Sequence, residues 1–174
     1  AQNSNMLGTA PIGKLLFSLA LPAITAQLVN MLYNIVDRIY IGHIPEIGSV
    51  ALTGVGITFP IITLISAFSS LIAMGGAPRA SIAMGEGNSQ KAERIMGNCF
   101  SALLFLSVVL TFIFLVFQQP ILRAFGASEN TIGYATDYMS IYTCGTVFVQ
   151  IALGMNMFIT SQGFAKTSML TVLI

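Results

Sequence analysis

The sequence is short of charge. Only 7% of its 174 residues are Asp, Glu, Lys or Arg, whereas soluble domains carry about 25%. So few charges cannot build a surface that water solvates well, which argues strongly against a soluble globular domain. Because the formal net charge is only +1, the chain also lacks a basic surface for nucleic acid, and we expect no nucleic-acid partner.

Tryptophan is absent, and the chain has one histidine and two cysteines. Cys99 and Cys144 lie far apart in apolar runs, which predicts buried thiols rather than a disulfide framework. The histidine, His43, falls in a predicted turn, and no metal-ligand spacing occurs in the sequence. The short motifs GVG (54–56) and GEG (85–87) lack the strand context of a nucleotide-binding loop. We therefore expect no enzyme activity, no cofactor and no structural metal.

The chain is instead rich in long apolar runs. The apolar set makes up 55% of the residues, and the mean hydropathy is +0.85. A bilayer core about 30 Å thick needs roughly 20 helical residues, and four uncharged runs exceed that length. They predict an all-α, polytopic helical membrane protein with four complete spans and the start of a fifth. The spans are expected at about 15–41, 49–77, 95–119 and 132–160, with the fifth beginning at 167–174.

The basic residues predict the orientation in the membrane. With four spans, five of the seven basic residues fall on one side, which the positive-inside bias assigns to the cytoplasm. We therefore expect a multi-pass protein of the cell (inner) membrane with a cytoplasmic N-terminus. The five basic residues are Lys14, Arg79, Lys91, Arg94 and Lys166.

The segments between the spans carry local signals. Residues 79–94 are predicted to form a polar linker, in which Asn88 can cap the helix that follows. Ser128 is expected to cap the fourth helix, with Glu129 in its first turn. Pro60 cannot donate a backbone hydrogen bond, so a kink is expected in the second span.

The first span carries a polar stripe. Gln27, Asn30, Asn34 and Asp37 are spaced by three or four residues and so lie on one helix face, with Tyr33 at its border. Uncompensated polar groups are costly in lipid, so the stripe should face other helices or water. It either lines a cavity or joins helices through amide hydrogen bonds. The carboxylate at its end favours the cavity, with Asp37 as the ion- or substrate-binding residue.

Two features leave alternatives open. Asp37 lies near the outer end of its span, where it could simply mark the membrane edge, and the adjacent Arg38 points about 100° away from it. In the fourth span, four polar side chains recur every four residues and form a drifting face. That face either completes the Asp37 cavity, or its tyrosines form an interfacial belt. The four are Tyr138, Tyr142, Thr146 and Gln150.

Four segments, in order and spacing, resemble the multidrug and toxic compound extrusion (MATE) transporters. They are YNIVDRIYIGHIPEIGSVALTGVGITFPI (33–61), GGAPRASIAMGEGNSQKAERIMGN (75–98), PILRAFGAS (120–128) and MFITSQGFAKTSM (157–169). The resemblance implies a fold of twelve helices in two lobes. Residues 1–174 would then form part of the N-lobe, and the C-lobe would be absent from this sequence.

The resemblance also implies a function. MATE transporters export cationic, amphipathic compounds in exchange for H⁺ or Na⁺, and their N-lobe carboxylate lies in a motif that matches NIVDRIYIG, at Asp37. By the same resemblance, Na⁺ is one candidate ion at Asp37. Tyr138, with Tyr134 as the second choice, is the expected tyrosine near this carboxylate. Arg38 stands where the family usually has Thr, and its charge would disfavour cation binding if it faced the same cavity.

The primary hypothesis is therefore part of a secondary antiporter for organic cations. Its expected partners are a small cationic substrate, the lipid bilayer, the rest of the lobe and the C-lobe. Two alternatives stay open at this point. One is a lipid-linked saccharide flippase of the wider superfamily, which Arg38 favours, and the other is a non-transporting fragment.

Overall fold

The computed structural model describes residues 11–173, which form five α-helices joined by short loops. Ile174, the last residue of the predicted fifth span, lies outside the described residues. The described part contains helix and loop but no strand, in agreement with the all-α prediction. The helices are α1 (Ile12–Gly42), α2 (Gly48–Gly85), α3 (Ser89–Ala124), α4 (Ile132–Ser161) and α5 (Ala165–Leu173).

The first four helices are long and apolar enough to cross a membrane. Each of the four predicted spans lies within one of them. At about 1.5 Å per residue, the 38 residues of α2 extend for about 57 Å, well beyond a hydrocarbon core of about 30 Å. The first part of the predicted polar linker over 79–94 is helical, because α2 continues through Arg79 to Gly85. The helix predicted to follow Asn88 begins at Ser89 and includes Lys91, so only residues 86–88 connect the two helices.

The two predicted helix caps have different outcomes. The Asn88 cap is confirmed, since its Oδ1 accepts a hydrogen bond from the Lys91 backbone N–H at 3.0 Å. The Ser128 cap is wrong, because α4 begins only at Ile132. Ser128 instead donates its backbone N–H to Thr131 Oγ1 at 2.9 Å, and this turn precedes the helix.

Non-helical geometry occurs within α3. Helix α2 continues through Pro60, and the kink expected there stays a prediction. Phe117 in α3 has non-helical dihedral angles (φ −108°, ψ 17°) and lies three residues before Pro120. Because the proline ring removes a backbone donor and crowds the preceding turn, it interrupts α3 at that point.

Helices α2, α3 and α4 all pack against one another, whereas α5 contacts α1 and α4, and α1 also contacts α2. The larger hydrophobic cluster lies toward the predicted outer end of the three packed helices. A smaller one lies near the opposite end and comprises Ala77, Ala80 and Phe158. Helix α1 contributes little to either cluster, so most of its side chains are exposed. The larger cluster contains Ile61, Ile65, Leu110, Phe114, Leu122, Ala135 and Met139.

Polar contacts join α5 to α4. Ser168 Oγ donates to Asn156 Oδ1 at 2.6 Å, and Asn156 Nδ2 donates to Thr171 Oγ1 at 2.7 Å. Hydrogen bonds of this kind hold helices together where lipid offers no partner. These bonds hold α5 against α4, and α5 in turn packs against α1.

Candidate functional site

The polar stripe of α1 lies on an exposed part of that helix. Gln27, Asn30 and Asn34 are exposed, and Asp37 is half-buried. Asn34 Nδ2 donates to the Asn30 backbone carbonyl at 2.8 Å and lies 3.3 Å from its Oδ1. Within residues 11–173, the hydrogen bonds of these amides stay inside α1. They do not join α1 to the other helices described.

Asp37 lies near an aromatic group of another helix. The half-buried Tyr138 side chain of α4 lies within Coulombic range of Asp37, Arg38 and Tyr33. Tyr33 itself is 71% exposed. The structure therefore brings the carboxylate at the end of the stripe toward the polar face of α4. A tyrosine hydroxyl can donate a hydrogen bond to a carboxylate or accept one from a ligand.

Arg38 makes a contact that the sequence did not reveal. Its guanidinium carbon lies 5.4 Å from the centre of the Phe59 ring on α2, which is within the range of a cation–π interaction. The two ion pairs found among residues 11–173 join Lys91 to Glu86 and Arg123 to Glu129. Arg38 thus contacts α2 rather than forming an ion pair with Asp37 in the described part of the chain. Only the packing of α1 on α2 brings Phe59 to this position.

The two candidate tyrosines occupy different environments. Tyr134 lies where α4 crosses α2, and its Cβ is only 3.1 Å from the position that a Cβ on Gly54 would take. Tyr138 lies one turn further along α4, within Coulombic range of Asp37. The base of the Tyr134 side chain packs against α2, whereas Tyr138 lies on the side of α4 nearer to Asp37.

Gln150 and Thr146, the last two residues of the polar face of α4, are buried between helices. Gln150 is 0% exposed, and its Nε2 donates to the Ile65 carbonyl of α2 at 2.9 Å. Ser69 Oγ returns a hydrogen bond of 2.8 Å to the Gln150 carbonyl. Thr146 is also fully buried. The interpretation of this end of the face as part of an Asp37 cavity is therefore wrong, because Gln150 and Thr146 lie inside the packed helices.

The donor set around Asp37 bears on which ions could bind. Among the described residues, no group of three or more His, Cys, Asp or Glu side chains is placed to hold a metal ion. A hard monovalent cation prefers oxygen ligands, and the side-chain oxygens of Asp37, Asn34 and Tyr138 are of that type. A proton needs only the carboxylate.

Comparisons with known proteins agree with the helical arrangement. The MatE family model matches residues 22–174. The chain is 26% identical over 162 residues to the multidrug export protein MepA of Staphylococcus haemolyticus, covering 93% of this chain and 35% of that protein. It is 23% identical over 159 residues to an FAD transporter of Shewanella oneidensis, covering 91% of this chain and 34% of that protein. The chain thus spans about a third of the length of these relatives.

Two solved structures resemble the chain closely. The MATE multidrug transporter DinF-BH, solved as a complex, superposes with a TM-score of 0.86 at 39% identity, over 98% of this chain and 38% of that one. The crystal structure of a MATE mutant gives a TM-score of 0.89 at 21% identity, over 99% of this chain and 38% of that one. At this identity the match supports the fold alone. The helices are those of a multi-pass membrane protein, and the family consists of transporters rather than enzymes. The chain therefore belongs to the MatE family of multidrug and toxic compound extrusion transporters.

Proposed function

We propose that the full-length protein containing this chain is a secondary transporter that exports organic cations in exchange for H⁺ or Na⁺. The observation that carries the proposal is the position of Asp37. It is half-buried at the end of the amide stripe, close to Tyr138, and without an ion-pair partner among the described residues. An intramembrane carboxylate with such surroundings is a binding-site candidate.

The physical reason lies in the cost of an uncompensated charge. An Asp at the centre of a membrane helix costs about 2.5–3.5 kcal/mol on insertion scales, and less toward the ends. A proton, a Na⁺ ion or a cationic substrate each neutralises the Asp37 carboxylate, so the three compete for one site. Exchange follows if the affinity for ion and substrate differs between the outward- and inward-facing states.

The other residues of the site have supporting roles in this proposal. Gln27, Asn30 and Asn34 supply amide groups along the path to Asp37, and Tyr33 and Tyr138 supply aromatic faces and hydroxyls. Aromatic rings attract organic cations through their π-electrons. In this proposal, the half-buried Tyr138 contacts an aromatic cation that pairs with Asp37.

The contact of Arg38 with Phe59 bears on how Asp37 is charged. A guanidinium paired with Asp37 would neutralise its carboxylate. The Arg38 guanidinium lies 5.4 Å from the centre of the Phe59 ring on α2 and forms no ion pair with Asp37 among the described residues, so the Asp37 carboxylate keeps its charge in this proposal. The comparisons do not favour a lipid-linked saccharide flippase, and no contact in the described part of the chain adds to the argument for one.

The proposal extends to the surroundings of the chain. We place the protein in the cell (inner) membrane. Following the distribution of basic residues, its N-terminus and residues 86–88 lie on the cytoplasmic side. The substrate path would be completed by the remaining helices of the lobe and by the C-lobe. The lipid bilayer covers the apolar outer surfaces of α1 and α3.

The test is efflux of a fluorescent organic cation from cells that express the full-length protein. Asp37→Asn keeps the size of the side chain but removes its charge, and we expect efflux to fall by roughly 5–150-fold, the range of a coupling free energy of about 1–3 kcal/mol. Asp137→Asn is the matched control, because Asp137 is an exposed Asp next to Tyr138, at the same predicted membrane surface as Asp37. Equal efflux by wild type and Asp37→Asn would contradict the role of Asp37.

The coupling ion is identified in inverted membrane vesicles. Substrate accumulation driven by a pH gradient alone indicates H⁺, and accumulation that requires a Na⁺ gradient indicates Na⁺. In either case Asp37→Asn should abolish the dependence on the gradient. Transport that depends on neither gradient would refute ion exchange while leaving the family assignment intact.

A further inference from the structure

A groove of about 750 Å³ opens between α2 and α3 at the end of the helices opposite Asp37. Basic side chains line one part of it and apolar side chains the other. No residue of the α1 stripe contributes to it, so it is separate from the proposed transport site. The lining includes the basic residues Arg79, Lys91 and Arg94, together with Leu71, Ile72 and Asn98.

The basic part of the groove has little compensating negative charge. Arg79, Lys91 and Arg94 contribute three cations, and none of the lining residues is Asp or Glu. Glu86 at the rim lies 3.4 Å from Lys91, but both side chains are more than half exposed. Such an exposed pair is weak and exchanges readily with other partners. The groove therefore presents net positive charge to an anionic ligand.

The apolar part lies along the helices toward the middle of the membrane. Leu71, in this part, is 71% exposed, so its side chain is available for contact. Leu71 precedes Arg79 by eight residues, which is about 12 Å along a helix. At Gly75, between them, an added Cβ would meet no atom within 4 Å, so the missing side chain leaves open space. A ligand that fits both parts has an anionic head and an apolar chain.

We propose that this groove binds an anionic phospholipid, with its phosphate between Arg79, Lys91 and Arg94 and an acyl chain along Leu71 and Ile72. Basic pockets between membrane helices at the cytoplasmic surface are suited to such headgroups, and anionic lipids are concentrated in the cytoplasmic leaflet. Charge complementarity selects this occupant over an apolar segment of the transporter itself, which would offer no partner to Arg79 and Arg94. Asn98, at the border of the two parts, can donate a hydrogen bond to a phosphate or ester oxygen.

The test measures binding of a fluorescent phosphatidylglycerol to the purified full-length protein in phosphatidylcholine nanodiscs. Arg79→Gln and Arg94→Gln should each weaken binding about fivefold, and their combination about 25-fold. Lys166→Gln is the matched charge control, since Lys166 is exposed near the same predicted membrane surface but outside the groove, and it should leave binding unchanged. Equal losses in all three single variants would overturn the proposal, because they would indicate a general charge effect.

A steric variant tests the groove without changing its charge. Gly75→Leu fills the open space and should reduce phosphatidylglycerol binding, whereas Gly145→Leu, on α4 where an added Cβ also meets nothing within 4 Å, should not. Inorganic phosphate at millimolar concentration should displace little of the lipid. Full displacement by phosphate would overturn the lipid assignment in favour of a free anion. Phosphatidylglycerol binding that is the same in Gly75→Leu as in wild type would also overturn the proposal. The lipid would then bind outside the groove, which would leave the groove to another segment of the transporter.

Discussion

Gly154 lies at a crossing of three helices, and enlarging it should destabilise the fold. A Cβ atom at this position of α4 would be in collision with the Leu103 side chain of α3 and 3.2 Å from Ser69 Oγ of α2. Leu103 is 0% exposed, and Ser69 is equally buried. Because Leu103 would have to shift within the packed helices to make room, we expect Gly154→Ala to cost about 1–3 kcal/mol of overpacking strain.

The control is Gly145→Ala on the same helix, where an added Cβ would meet nothing within 4 Å. Both substitutions gain similar helix propensity, so the difference between them isolates the strain. Thermal unfolding of the full-length protein in detergent measures that difference, and Gly154→Ala should have the lower Tm by several degrees. Equal Tm values, or a higher Tm for Gly154→Ala, would refute the close packing of α2, α3 and α4 at this point.

Three further predictions concern buried, charged and strained positions. Gln150→Met should cost less than about 1.5 kcal/mol in chemical denaturation, whereas Gln150→Glu should cost more, because it buries a charge beside the Ile65 carbonyl. Hydrogen bonds from Arg123 and its positive charge lower the pKa of the Glu129 carboxyl. The exposed pair should therefore persist above the ordinary Glu pKa and break as pH falls through the lowered one, and Arg123→Gln should return the NMR titration toward about 4.5. Glu46 has a left-handed φ of 66°, so Glu46→Gly should keep or raise the Tm and the β-branched Glu46→Val should lower it.

Helix number and order could be predicted because the bilayer fixes the length of an apolar run. The helix ends could not, because charge marks where the membrane ends and not where the helix ends. Arg79 and Lys91 continue α2 and α3 beyond the apolar core, with their long side chains able to reach water. The local capping signals predicted one helix start correctly and one incorrectly. Asn88 caps α3 as its sequence indicates, whereas Ser128 is engaged by Thr131 in a turn before α4.

The candidate site was predictable in part. The spacing of Gln27, Asn30, Asn34 and Asp37 indicates one helix face, and the structure leaves the three amides of that face exposed and Asp37 half-buried. Contacts between helices depend on packing, which no local pattern records. The position of Phe59 under Arg38 is one such contact, and so is the burial of Gln150 against α2. The role of Asp37 in binding stays a prediction.

The central claim is that Asp37 faces water and ions. The most direct test is the reaction of Asp37→Cys with a membrane-impermeant thiol reagent, in the full-length protein with Cys99, Cys144 and every cysteine outside this sequence replaced by Ala. Phe105→Cys is the control, because Phe105 on α3 is 72% exposed on an apolar surface that we expect to contact lipid. The account predicts that the reagent modifies Asp37→Cys, that a cationic substrate slows this modification, and that Phe105→Cys does not react. An unreactive Asp37→Cys in a folded transporter would contradict the account.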